Sequence, residues 1–122
     1  MGVSTVDTAN AAREVVLSCI KAINEEDFRE ARHYVSEGMK FDGVLGSRFG
    51  AEAYFHDMER MRLKYDIQKV FSENDDVCVL YNLHISGKTI YGCGLYEVRH
   101  GRITSLKVVF DPRPLLEERT QD

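Results

Sequence analysis

Cysteine, proline and net positive charge are all scarce in this chain, and each scarcity closes off a class of protein. The three cysteines, Cys19, Cys78 and Cys93, are an odd number with no CxxC and no Cys/His spacing. Neither a disulfide framework nor a zinc site is therefore expected, and free thiols in a reducing compartment are. Both prolines, Pro112 and Pro114, stand near the C-terminal end, so nothing before them removes an amide hydrogen from a helix or ladder. With 16 Lys and Arg against 20 Asp and Glu the formal charge is −4, which gives no basic face for nucleic acid or an anionic membrane. No apolar run approaches the roughly 20 residues of a membrane span. The opening MGVSTVDTAN lacks the apolar and basic regions of a signal peptide, and Val6 breaks the myristoylation pattern. A soluble cytoplasmic protein is the expectation, with one domain over 1–122 and an ordered core from about residue 7 to about residue 114.

What is present is enough for a core: 43% of the 122 residues are hydrophobic, with 30% charged to solvate the surface. The organising stretch is Val77 to Phe110, rich in Tyr, Val, Ile and Leu and divided by Ser86-Gly87-Lys88 and Arg99-His100-Gly101-Arg102. It predicts three antiparallel strands joined by tight turns. A two-residue turn at Ser86-Gly87 or Gly87-Lys88 puts Val77, Val79, Tyr81 and Leu83 on one face with Ile90, Gly92, Gly94, Tyr96 and Val98. Leu106, Val108 and Phe110 join that face, which is expected to be the concave one. The opposite face carries Cys78, Leu80, Asn82, His84, Tyr91, Cys93, Leu95 and Val109. Its patch of Leu80, Tyr91, Cys93, Leu95 and Val109 is too apolar to be left solvated, so a homodimer through it is predicted.

The first half supplies helices to cover the concave face. Asp7 or Thr8 can cap a helix to about Ile23 with Ala12, Val15, Val16, Cys19, Ile20 and Ile23 as its apolar stripe. Asp27, with Glu30 three residues on, opens a second helix that places Phe28, Ala31, Tyr34 and Val35 together and stops at Glu37-Gly38. Met39 to Val44 alternates as a short strand, and the glycine-punctuated stretch 43–50 reads as a mobile loop. A third helix over about Ala51 to Arg62 has Ala51, Tyr54, Phe55, Met58 and Met61 inward. Tyr65 to Ser72 is the next strand, with Tyr65, Ile67 and Phe71 on one face. Residues Met1 to Val6 are expected to fray, and the charged tail from Leu115 to be loose.

This order of elements resembles the nuclear transport factor 2-like superfamily, which includes ketosteroid isomerases and SnoaL-like polyketide cyclases. Local signatures are Glu26-Asp-Phe-Arg-Glu-Ala31, Phe41-Asp-Gly-Val-Leu-Gly-Ser47, and Gly101-Arg-Ile103 before a strand ending in Phe110-Asp111. The resemblance implies an α+β fold of the cystatin-like type: a cone-shaped, curved antiparallel sheet wrapped around three N-terminal helices. It also locates the isomerase machinery. The general-base carboxylate at the end of the first strand falls at Gly43, with Asp42 one position early. The helix-one tyrosine falls at Cys19, and the aspartic acid of the penultimate strand at Gly94. Phe110 alone matches, as an aromatic pocket wall. Steroid isomerisation by that route is not expected.

The candidate site is a pocket for an apolar or aromatic small molecule, walled by Phe41, Tyr54, Met58, Tyr81, Gly92, Gly94 and Phe110. Gly92 and Gly94 are expected to leave room where side chains would otherwise stand. Tyr81, with Tyr34, Tyr54 and Tyr96 as neighbours, is the candidate hydrogen-bond donor, since a phenol can donate to a carbonyl or enolate oxygen. Asp42 is the candidate base for the alternative, an enzyme acting on a carbonyl compound, provided a bulge at Phe41-Asp42-Gly43 turns it inward. A non-catalytic interaction module is the further alternative. His33, His56, His84 and His100 are all expected at the surface, and neither a metal nor a cofactor is anticipated.

Overall fold

The computed structural model describes residues 5–120, with side chains described over 11–116. Its elements are α1 (Thr5–Asn24), α2 (Phe28–Arg32), β1 (Val35–Gly43), β2 (Gly46–Phe49), α3 (Ala51–Met61), β3 (Lys64–Glu73), β4 (Asp76–Ile85), β5 (Lys88–Arg99), β6 (Arg102–Phe110) and α4 (Arg113–Thr120). The six strands form one curved, unclosed sheet in the order β2-β1-β6-β5-β4-β3. The pairs are antiparallel except β1 with β6, which run parallel. The helices pack on the concave face, giving the α+β cone that the element order implied.

The long meander follows from its turns. Ser86 and Gly87 both hold positive φ (51° and 76°), as do His100 and Gly101 (53° and 76°), the geometry of two-residue hairpins whose twist matches the strands. The first turn fixes Ile85 opposite Lys88 and carries the register to Val77 opposite Tyr96. Val77, Val79, Tyr81, Ile90, Tyr96 and Val98 consequently bury on the inner face, as alternation requires, and a register shift between Glu97 and Val98 lets both Ile103 and Leu106 of β6 join them. Ala12, Val16, Cys19, Ile20 and Ile23 supply the α1 side of that core.

Asn24, at the last residue of α1, joins the two layers. Its Oδ1 accepts from the Tyr65 amide at 2.7 Å and its Nδ2 donates to the Tyr65 carbonyl at 3.0 Å. Lys64 Nζ adds bonds to the Asn24 carbonyl (2.6 Å) and to Glu26 (2.9 Å). One side chain thereby satisfies both backbone groups of a strand residue at the edge of the sheet.

Several local expectations are corrected. The second helix stops at Arg32 rather than Gly38, because Val35 pairs with Ile103 of β6 and Tyr34 accepts from the Ile103 amide through its carbonyl. Asp27 does cap it, accepting from the Glu30 amide at 3.1 Å. The stretch expected to be a mobile loop contains β2, which pairs Phe49 with Lys40 and Ser47 with Asp42. Asp7 and Thr8 lie inside α1, which already includes Thr5 and Val6. The rest of the expected frayed start, Met1–Ser4, lies outside the described residues. The tail is helical as α4 up to Thr120, and 121–122 lie outside the described residues. In β3 the register slips between Ile67 and Lys69, so Gln68 is an extra residue. Val70 and Ser72 then follow Tyr65 inward, and Phe71 turns to the outer face, where it is 56% exposed.

Candidate functional site

The open end of the cone holds a cavity of about 210 Å³. Phe41 and Gly43 of β1 form one wall, and Val108 and Phe110 of β6 continue it. Tyr54, Met58 and Met61 project from α3, a face set by i, i+4, i+7 spacing. Leu83, Ile85 and Ile90 come from the β4–β5 hairpin, and Tyr65 and Tyr81 close the inner end. Leu45 of the β1–β2 turn and Leu115 of α4 stand at the mouth. Among the described residues no charged side chain lines the space. Leu45 and Leu115 were not singled out from the sequence, because their roles depend on where the short hairpin and α4 come to rest, and neither was Leu63, in the link between α3 and β3.

The polar groups gather at the inner end. Tyr65 and Tyr81 meet edge to face with ring centroids 4.9 Å apart, and Phe41 stacks obliquely on Tyr54 at 5.6 Å. The Tyr65 hydroxyl lies between those of Tyr54 and Tyr96. Burial, reinforced by the neighbouring phenols, pushes the hydroxyls of Tyr54, Tyr65, Tyr81 and Tyr96 above their ordinary range. All four remain protonated donors at neutral pH. Behind them the Cys19 thiol is pushed up to about 12 by burial and donates weakly to the Ala31 carbonyl at 3.7 Å.

Of the residues singled out for the pocket, Phe41, Tyr54, Met58, Tyr81 and Phe110 border the cavity, and Gly92 and Gly94 do not. This corrects the idea that the two glycines leave room for a ligand. A Cβ on Gly94 would stand 3.1 Å from both Leu106 and the Tyr96 ring and 3.5 Å from the Tyr81 hydroxyl, so protein atoms already fill that space. Gly92 is needed for the close approach of β6. Tyr34 also stays out, its hydroxyl donating to Glu30 at 3.0 Å on the surface.

Asp42 faces away from the cavity. The β1–β6 register is regular from Lys40 to Asp42, so the bulge that would have turned it inward is absent there. Asp42 is exposed on the outer face, in register with Lys107 of β6, and its carboxylate accepts from Ser47 Oγ at 2.7 Å. Asp111 is held below the usual carboxylate range by hydrogen bonds from Arg113 at 2.7–3.1 Å, a turn anchor between β6 and α4. His33, His56, His84 and His100 are all exposed. Among the described residues no three His, Cys, Asp or Glu side chains converge as a metal site would require, and no helix is long and apolar enough to cross a membrane.

The family profile of the SnoaL-like domain matches residues 16–106, from the middle of α1 into β6. The chain belongs to the SnoaL-like family. Among solved structures it is similar to a nuclear transport factor 2-like protein of unknown function from Cytophaga hutchinsonii. The two are 43% identical with a TM-score of 0.82, covering 95% of this chain and 97% of the other. A candidate SnoaL-like polyketide cyclase from Shewanella denitrificans shares the fold at 16% identity and TM-score 0.76, covering 91% and 98%. A candidate ketosteroid isomerase from Kribbella flavida does so at 12% and 0.78, covering 84% and 79%. No curated protein matches the chain in sequence. Within this SnoaL-like cone the three positions where the isomerase resemblance locates its acid, base and phenol are Gly94, Gly43 and Cys19. The hydroxyls come instead from α3, β3, β4 and β5.

Proposed function

We propose that this SnoaL-like protein binds an apolar or aromatic small molecule in the cavity of its cone and works as a homodimer. The observation that carries the reading is the cavity itself: concave, apolar on its walls, with three tyrosines in its lining, the arrangement of a small-molecule site. Gly43 carries no side chain and Asp42 points to the other face, so no carboxylate among the described residues lines the pocket as a base. A binder is favoured over a carbonyl-transforming enzyme on that ground. Native mass spectrometry of protein purified without added ligand tests the binding reading. A retained mass that Met58→Trp displaces supports it; unliganded protein that gains no mass from any apolar compound tested defeats it.

The dimer rests on the outer face. The register lays Phe71, Cys78, Leu95 and Lys107 in one row and Lys69, Leu80, Cys93 and Val109 in the next, with Tyr91 beyond. Phe71, Tyr91, Leu95 and Val109 are 41–64% exposed, an apolar band that nothing among the described residues covers. A second copy supplies a matching apolar face. Sedimentation showing a monomer at micromolar concentration would remove this part of the reading. A cytoplasmic setting fits the three free thiols.

A further inference from the structure

Resting on the binding reading above, we infer that the ligand is a neutral one-ring or compact two-ring molecule with a single oxygen at one end. Steroids and multi-ring polyketides are excluded by the same dimensions. Three observations converge on this class.

The first is volume. An apolar cavity of about 150 Å³ holds one benzene molecule, and the same ratio applied to a larger space gives roughly eight to ten non-hydrogen atoms. The space here is about 210 Å³. Its inner end cannot lengthen into the sheet, because the tyrosines, Leu106 and the β5 backbone at Gly94 are in contact there. A four-ring skeleton would have to leave most of its surface outside the mouth between Leu45 and Leu115.

The second is charge. Among the described residues the lining contains no Lys, Arg, His, Asp or Glu, so a carboxylate or ammonium on the ligand would lose its hydration with no counter-charge from them. Arg48 stays outside, tied to Asp57 at 2.8 Å. A neutral ligand meets no such penalty.

The third is polarity at one end only. Among the described residues Tyr54, Tyr65 and Tyr81 are the only cavity-lining side chains with a hydroxyl, and the three cluster, Tyr65 touching Tyr81 and neighbouring Tyr54. Walls of Met, Leu, Ile, Val and Phe complete the surface. A molecule with one oxygen therefore binds oxygen-first, with its ring between Phe41, Met58 and Ile90, and Tyr81 or Tyr54 donating to the oxygen.

Four probes of graded chemistry test the class by calorimetry: acetophenone, ethylbenzene, benzoate and androst-4-ene-3,17-dione. Acetophenone is expected to bind about tenfold more tightly than ethylbenzene, the worth of roughly one buried hydrogen bond. Benzoate is expected to bind at least about tenfold more weakly than acetophenone. The steroid is expected neither to bind nor to displace acetophenone. Tyr81→Phe and Tyr54→Phe, which keep the rings, are measured separately; one of them is expected to bring acetophenone down to the affinity of ethylbenzene. Tighter binding of benzoate or the steroid than of acetophenone overturns the class, as does an acetophenone affinity that neither Phe variant alters. Crystals pressurised with xenon separate this failure from that of the reading beneath it. Xenon in the cavity with no acetophenone binding overturns this inference alone, and a cavity that takes up neither overturns both.

Discussion

Gly92 and Phe110 approach so closely across β5 and β6 that a Cβ on the glycine would stand 2.8 Å from the Cβ of Phe110. The carbonyl oxygen of Val109 would lie equally near, at 2.8 Å, and that is backbone, which cannot swing aside. Phe110 is a cavity wall, so this contact sets where the wall stands. Gly92→Ala is expected to destabilise the protein by about 1–3 kcal/mol through overpacking. It should also push β6 away from β5 at its end. Urea denaturation measures the first effect. The second is read from the chemical shifts of Val109 and Phe110, and an unshifted β6 with unchanged stability would contradict the close contact.

Asn24 offers a second stability test. Its amide is bonded to both the N–H and the C=O of Tyr65, so Asn24→Ala leaves two strand groups without their partner where α1 meets β3. A loss of about 1–3 kcal/mol is expected, larger than for a surface asparagine. Asn24→Asp keeps the acceptor for the Tyr65 amide and loses only the donor, so it should cost less. Equal effects from Ala and Asp would show that the amide acceptor is not what matters.

The two contacts differ in how far they could be read from residues alone. The meander's facing was legible because a turn at Ser86-Gly87 or at Gly87-Lys88 gives the same parity and every other residue of both strands is apolar, and the structure uses Ser86-Gly87. The hidden features depend on single residues that break a period or on contacts distant in sequence. Gln68 inserts one residue into β3 and reverses Phe71, which no propensity marks. Val35 leaves its helical stripe because a parallel partner, β6, lies about seventy residues further on. The glycines illustrate the same limit at the site. Their inward direction followed from alternation, but whether the space above them was empty depended on the reach of Leu106, Tyr81 and Tyr96 at Gly94 and on the approach of the β6 backbone at Gly92. Asp42 was legible as a strand residue facing out, and only the regular β1–β6 register settled that no bulge turns it.

Acid weakens two surface contacts with the same sign. Glu26 is held below the usual carboxylate range by its hydrogen bond and charge contact with Lys64, and Asp111 by Arg113. For both groups the folded value lies below the unfolded one. The stability they contribute is therefore complete above the unfolded carboxylate value and is lost as pH falls through the folded one, below about pH 4. Both are solvent-exposed, so the effect on stability is small, and the direct check is carboxyl titration by NMR. Glu26 should titrate below the usual glutamate range, and Lys64→Met should remove most of that depression.

Thiol reactivity joins the core to the proposed dimer face. Cys19 is 2% exposed, its thiol is pushed up to about 12, and it faces the Ala31 carbonyl. At neutral pH it has almost no thiolate and no path for a reagent, so it should react with an aromatic disulfide reagent only after unfolding. Cys78 and Cys93 are partly exposed on the outer face, one residue pair apart on β4 and β5. Burial and the neighbouring Cys93 raise Cys78, so its reaction should be slow and should quicken with rising pH. Two thiols per chain should therefore react in native protein and three in denaturant. If a second copy covers the outer face, those two native rates should also fall as protein concentration rises, and Val109→Asp should make them independent of it. Rates unaffected by concentration in the parent protein would mean that these cysteines lie on a free surface.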